Sequence, residues 1–323
     1  MLFPRRRFLY LAASTLATSL SPKIALALDY PTRPVHLVVG FPPGLAPDIV
    51  ARVIAQPLSE RFGQNIVIDN RPGAGSNIAA DTVVHAPADG YTLLYVTLGN
   101  AINASFYKHL DFDITRDIAP VAGIVRSPSV LVVSPSVPAQ TLPEFIAYAK
   151  ANPGKINFAS GGIGTAPHLA GELFKQLAGV DLVHVPYSSS YMPDLLAGRV
   201  QVTFAPIATS IADIKAGKLR ALAVTSAARS DVLPNIPTVA EFVPGYEASV
   251  WHGVGAPQGT SQNIIGTLNR QIGAVLADSN VTARLGGLGA EPMPMTPGEF
   301  GKFVVAEVQK WANVVKLAGL KAE

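Results

Sequence analysis

The chain has no cysteine, which excludes disulfides, thiolate metal sites, iron–sulfur clusters and a thiol nucleophile. It is also poor in charge. Asp, Glu, Lys and Arg together make up 15% of the 323 residues, while 49% are apolar. That balance excludes a disordered chain, because there is ample apolar surface to bury. Proline and glycine are plentiful, at 27 and 28 residues, but show no triplet period. This excludes a collagen-like rod, and their recurrence along the chain excludes a long coiled coil. Beyond residue 27 no apolar run approaches the ~20 residues needed to cross a bilayer. Catalytic and nucleotide motifs are missing as well: there is no G-x-S-x-G elbow, no Walker G-K-[ST] and no G-x-G-x-x-G. Six histidines stand at 36, 85, 109, 168, 184 and 252, and no two have the i, i+4 spacing of a helical zinc pair. Ser105-Phe106-Tyr107-Lys108 matches S-x-x-K, but the S-D-N and K-T-G companions of that acylation motif are absent. No metal, no cofactor and no catalytic residue is therefore expected, and the chain is not expected to be an enzyme.

What is present begins with a leader. Arg5, Arg6 and Arg7, the mostly apolar stretch Phe8–Leu20 and the A-x-A site Ala25-Leu26-Ala27 have the three parts of an export signal. Residues 1–27 are expected to be cleaved, leaving Leu28 first in a periplasmic product. Arg5–Leu9 fits both the twin-arginine and the Sec route. The leader carries Arg5, Arg6, Arg7 and Lys23 and no acid, so its removal takes the formal net charge from +3 to −1. No basic patch remains to favour nucleic acid.

In the rest of the chain, short β-branched runs alternate with helical patterns. Strands are expected at Val35–Val39, Ile66–Asp69, Thr92–Val96, Val130–Val133, Ile156–Ala159, Leu182–Val185, Val200–Phe204, Ala221–Val224 and Ser249–Gly255. Ile49, Val50, Val53, Ile54 and Leu58 line one helical face, and Leu169, Ala170, Leu173, Phe174 and Leu177 another. The alternation implies α/β layers with largely parallel sheets. The length suits two domains of ~100–200 residues. Possible crossings between them lie at Arg126-Ser127-Pro128-Ser129 and Val243-Pro244-Gly245-Tyr246. Domain 1 would then comprise residues 28–127 plus 248–323, and domain 2 residues 128–247.

Two loop-to-helix junctions stand out, Gly40–Asp48 and Ala159–His168. Each follows a strand, carries glycines and places proline at an early helical position, where its missing N–H costs nothing. A helix N-terminus offers free N–H groups and partial positive charge. One such junction per domain could grip an anion from two sides, although every α/β protein has ordinary turns of this kind.

The same residues carry a family resemblance. Tyr30-Pro31-Thr32-Arg33-Pro34 with Gly40–Asp48, then Asp69-Asn70-Arg71-Pro72-Gly73-Ala74-Gly75, resemble successive motifs of the Bug family. These are the extracytoplasmic solute-binding proteins of tripartite tricarboxylate transporters. Ala88-Asp89-Gly90-Tyr91-Thr92-Leu93, Asn152-Pro153-Gly154-Lys155 through His168-Leu169, Val185-Pro186-Tyr187 and Gly217–Ala223 continue in family order. The resemblance covers essentially all of residues 29–320. It implies a type II periplasmic-binding fold, two α/β domains around a central ligand cleft. It further implies a small organic acid held between two helix N-termini and handed to the membrane components of a transporter. A ligand-presenting sensor subunit or a periplasmic enzyme would use the same scaffold. A monomer is expected.

The candidate ligand-binding residues follow from these positions. Phe41, Pro43, Gly44, Leu45, Ala46 and Asp48 form the first jaw, with Asp48 either touching ligand or serving as a helix-start acid. Ser160, Gly161, Gly164, Thr165 and His168 form the second, with Thr165 either a helix cap or a donor to ligand. Thr97, Ala101 and Asn103 follow a first-domain strand; Tyr187 and Ala205 end second-domain strands. The chain departs from the family pattern at Leu45, Pro47, Ser188 and Ala205, losing a cation and an acid. An apolar or aromatic ligand body, toward Leu45 and Tyr191, is the expectation that follows.

Overall fold

The computed structural model describes residues 30–321. The expected export signal at 1–27 lies outside the described residues. Two sheets organise the rest. The first contains β1 (Val35–Val39), β2 (Ile66–Asn70), β3 (Thr92–Thr97), β4 (Ile118–Ser127), β10 (Val250–Pro257) and β11 (Glu291–Pro292), in the order β11-β4-β10-β3-β1-β2. The second contains β5 (Ser129–Val133), β6 (Ile156–Ser160), β7 (Leu182–Pro186), β8 (Val202–Pro206) and β9 (Arg220–Val224), in the order β7-β6-β8-β5-β9.

The sheets repeat one plan. β1 lies parallel between β2 and β3, and β6 lies parallel between β7 and β8. In each sheet the antiparallel strand is the first to follow a run of strands in the other sheet: β5 against β8 and β9, and β10 against β3 and β4. The chain therefore passes between sheets at Pro128 and again before Val250. This is the two-domain α/β architecture of periplasmic binding proteins, with mixed sheets.

Both sheets are covered on both faces, which explains the unbroken apolar strands. In β1, Val35, Leu37 and Val39 join one cluster and Val38 the other. In β5, Val130 and Val132 face one side, Leu131 and Val133 the other. One cluster is continuous between sheets. It includes Val38 and Leu94 from the first, Phe158 and Phe204 from the second, and Trp311, Val314 and Val315 from the long C-terminal helix Pro297–Leu317.

The strand β4 carries no expectation from sequence. Pro120 and Gly123 interrupt it, and both argue against a strand interior. The structure tolerates them because β4 pairs with β10 through two register shifts and meets β11 only at Val125 and Arg126. Gly123 is needed: a Cβ there would stand 2.6 Å from the Met293 carbonyl.

Candidate functional site

In the first sheet the chain leaves β1 to one side to make β2 and returns to the other to make β3. β6, β7 and β8 do the same. The carboxyl ends of β1 and β6 are therefore the topological switch points where open α/β sheets bind ligands. The loops at these two points are the two jaws.

The jaws are built alike. Helix α1 (Ala46–Phe62) starts from Leu45, and helix α5 (Ala166–Ala178) starts from Thr165. We count α2 (Asn77–Val84), α3 (Leu98–Phe106) and α4 (Leu142–Ala151) between them. Gly44-Leu45-Ala46-Pro47 and Gly164-Thr165-Ala166-Pro167 share the spacing G-x-A-P. Gly44 has φ +84° and Gly164 φ +78°, a region closed to most side chains. Leu45 and Thr165 are both extended. In each jaw the residue after the proline folds back as a latch. Asp48 Oδ2 accepts the Gly44 N–H at 2.8 Å, and His168 Nδ1 accepts the Gly164 N–H at 3.0 Å. Neither helix has a side-chain cap bond. Proline supplies no N–H, so the amides of Ala46 and Asp48, and of Ala166 and His168, are the donors each jaw presents.

Asp48 is 2% exposed and its carboxylate is fully engaged. Besides Gly44 it accepts from Arg52 Nε at 3.0 Å and Asn70 Nδ2 at 2.9 Å. Burial alone would raise its pKa, but the Arg52, Gly44 and Asn70 donors hold it down at about 2. The side chain serves the jaw. Thr165 does not cap with its hydroxyl, which donates to Gly162 O at 2.7 Å and tightens the loop.

Behind the second jaw lies a buried polar stack. The rings of His168 and His184 are 3.7 Å apart, and Phe158 stacks beyond them. Burial, with the neighbouring His184 and Lys175, pushes His168 down to about 3; burial and Lys175 push His184 down to about 4. Both imidazoles are thus neutral, as Nδ1 of His168 must be to accept a hydrogen bond. Ser160 Oγ meets His184 Nε2 at 2.6 Å, the spacing of a nucleophile and its base. Ser160 has no exposed surface, however, and its oxygen also accepts the Gly162 N–H at 3.1 Å. The pair is a loop latch.

The other candidates divide. Phe41 is half-buried, while Pro43, Ala46 and Gly161 are exposed. Leu45 is 51% exposed at the first jaw. Thr97 and Asn103 lie beside the first jaw in a hydrogen-bonded cluster, with Thr97 N–H donating to Asn100 Oδ1. Four of the expected side chains are not free in this structure. Ala101 and Ala205 have no exposed surface and pack in core clusters. Tyr187 donates to Asp194 at 2.8 Å, and Tyr191 packs on a core cluster of the second sheet, so both rings are held by their neighbours. Two residues had no sequence signal beyond position. Phe106 closes against the second jaw, where a Cβ on Gly164 would lie 2.9 Å from its ring. Ile163, 58% exposed, is the apolar counterpart of Leu45. The repeated G-x-A-P was legible and would have paired the jaws directly.

Among the described residues no cluster of His, Asp or Glu could hold a metal, and no helix is long and apolar enough to cross a membrane. Comparison with known proteins agrees with this geometry. The family described as "Tripartite tricarboxylate transporter family receptor" matches residues 50–320. BugT of Bordetella pertussis is 38% identical, covering 90% of this chain and 91% of its own. A structure of an R. palustris protein with adipate is 41% identical, with TM-score 0.74, covering 90% of this chain and 99% of that one. MatC from Rhodopseudomonas palustris with bound malate is 32% identical, with TM-score 0.71, covering 88% and 100%. A fold shared over about nine-tenths of the chain, with a family match from residue 50 to residue 320, leaves one assignment: this chain belongs to the Bug-type receptors of the tripartite tricarboxylate transporter family.

Proposed function

We propose that this chain is a periplasmic receptor that captures a small organic acid between its two domains and delivers it to the membrane components of a tripartite transporter. The domains are residues 28–127 with 248–323, and residues 128–247, once the leader 1–27 is removed. The observation that carries this reading is the pair of like-built jaws at the two switch points. Each presents helix-start amides that no side chain caps. A carboxylate oxygen is the natural acceptor for such groups. Solved structures of relatives with adipate and with bound malate support the ligand class.

The apolar exposure of Leu45 and Ile163 favours a ligand with a hydrocarbon body. Helix termini contribute up to ~2 kcal/mol per charge when partly buried, whereas micromolar affinity needs about 8 kcal/mol. Apolar burial, at roughly 25 cal/mol per Å², has to add to the jaws. Citrate, with three charges and no cation at Ser188, suits this cleft poorly.

Calorimetry on residues 28–323 with a panel of carboxylic acids tests the reading. We expect an apolar-bodied acid such as adipate to bind and citrate to bind weakly. Tight citrate binding with no response to apolar-bodied acids would overturn the ligand class, and no binding by any acid would overturn the receptor.

A further inference from the structure

We propose that domain 1 carries a separate site, on the β11 side of its sheet, for the ammonium end of a short aliphatic amine. It lies outside the cleft between the domains and takes a ligand of the opposite charge to an organic acid.

A cavity of about 210 Å³ opens between β4, the helix Gln262–Leu276 and the segment that leads into the C-terminal helix. One water needs ~10–15 Å³ on this measure, so there is room for a chain of several carbons. Its origin is the shortness of β11, which pairs with β4 only at Val125 and Arg126. The Met293 N–H still reaches Ile124 O at 2.9 Å. Beyond it, Asn269 spans the gap that a longer strand would fill. Its Nδ2 donates to Val121 O at 2.9 Å and to Met295 O at 2.8 Å. Buried Ala122, Gly123 and Ile272 form the floor of the cavity, and half-buried Asn269, Gly273 and Met295 its walls.

Gly273 is an independent sign that the space is kept open. It stands inside a helix, where glycine is the weakest former apart from proline. A Cβ on it would meet nothing within 4 Å, so packing does not demand a glycine. What the glycine does there is leave the cavity unfilled.

The polar groups on the cavity are acceptors. Both Asn269 amide hydrogens go to carbonyls, which fixes the amide and leaves its Oδ1 without a donor among the described residues. Exposed Glu299 stands at the rim. Its Oε2 accepts the Thr296 N–H at 2.9 Å and hydroxyl at 2.7 Å. These bonds hold its carboxyl below the usual range, with a smaller push from Lys302. The other oxygen, Oε1, stays open, and Glu299 forms no salt bridge among the described residues. An ammonium brings three donors and a positive charge; a carboxylate brings neither. The apolar floor takes the alkyl chain, which has to carry most of the affinity because an exposed ion pair contributes little.

The cavity is distinct from the jaws. β10 and β3 stand between β4 and β1, which is three strand spacings or about 14 Å. No jaw residue lines it. An acid at the jaws and an amine here do not compete for space.

Ligand-observed NMR titrations on residues 28–323 test the site with n-butylammonium and n-butanol, each with and without saturating adipate. We expect saturable binding of n-butylammonium, about 3-fold or more tighter than n-butanol, a margin that shrinks in about 0.5 M salt. Glu299→Gln keeps a capping-box partner for Thr296 and should bring the two probes to equal affinity. Gly273→Leu adds a better helix former and fills the cavity. It should melt no lower than the wild type and weaken both probes about 10-fold or more, with adipate affinity unchanged within about 3-fold. A lysine capped at both backbone ends separates the sources of the ammonium. Its binding assigns the site to a lysine of a partner protein, its exclusion to a free amine, and both uphold the site. No saturable amine binding, equal affinity of the two probes in the wild type, or unchanged binding in Gly273→Leu overturns the site. Displacement of the amine by adipate places it in the cleft and overturns the site too. No binding by any acid overturns the receptor and leaves this site standing.

Discussion

At the scale of single residues, the two jaws use the same latch geometry with different chemistry. Asp48 is a carboxylate acceptor held at about 2, and His168 is a neutral imidazole acceptor held at about 3. The pH at which each fails differs for that reason. A folded pKa below the unfolded value means the unfolded chain takes up the proton first as pH falls, so stability is full above the unfolded pKa and lost toward the folded one. For Asp48 that window runs from 3.8 down to about 2. For His168, His184 and His252 it opens at 6.5 and extends to about 3 or 4. His252 joins them because burial beside Tyr95 disfavours its charge. We therefore expect the melting temperature to fall steadily from about pH 6.5 to pH 4, before Asp48 titrates. Scanning calorimetry across that range checks this, and a flat melting temperature would contradict it. Asp48→Ala should cost about 2–4 kcal/mol, because it strands the Gly44 N–H and leaves Arg52 and Asn70 without their acceptor. Urea unfolding at pH 7 measures that loss.

At the scale of elements, the strands that were legible are those with uninterrupted apolar runs. Val35–Val39 is found where the sequence placed it. β4 was not legible, because its partners make Pro120 and Gly123 acceptable and partners are a tertiary fact. Gly123→Ala should destabilise the chain by about 1–3 kcal/mol, the range for overpacking. The opposing Met293 is pinned by its own N–H to Ile124 O at 2.9 Å and cannot retreat. Denaturant titration reports the loss, and an unchanged midpoint would show that the strand yields. The jaws offer a cleaner test of element function. Pro is accepted in the first helical turn, so Ala166→Pro deletes one presented N–H while keeping helix α5. Carboxylate affinity should drop about 10-fold or more, with the unliganded melting temperature nearly unchanged, since a hydrogen bond to a charged group is worth ~1.5–3 kcal/mol. Retained affinity would mean that this amide does not face the ligand.

At the scale of the whole molecule, the cluster shared by both sheets makes the two halves interdependent. The C-terminal helix places Trp311, Val314 and Val315 in it, and Glu307 on that helix accepts from the indoles of Trp251 and Trp311 at 2.7 and 3.0 Å. Neither sheet keeps its core if the other unfolds, so heat should unfold the chain in a single calorimetric transition. Two resolved transitions would show that the shared cluster contributes little. Sequence alone determined the α/β class, the positions of most strands and the two glycine–proline junctions, because periodicity and turn chemistry are local properties. It also carried the family motifs. Only the tertiary structure decided which of the named side chains are engaged within the jaws and which are not. Asp48, Ser160 and Tyr187 look like ligand groups in sequence, yet each is consumed by a neighbour in the fold. Ser76, Asn77 and Asn100 look unremarkable in sequence, yet folding leaves their donors without partners. Whether a polar group is satisfied depends on what the fold brings within about 3 Å of it, and no local pattern records that distance.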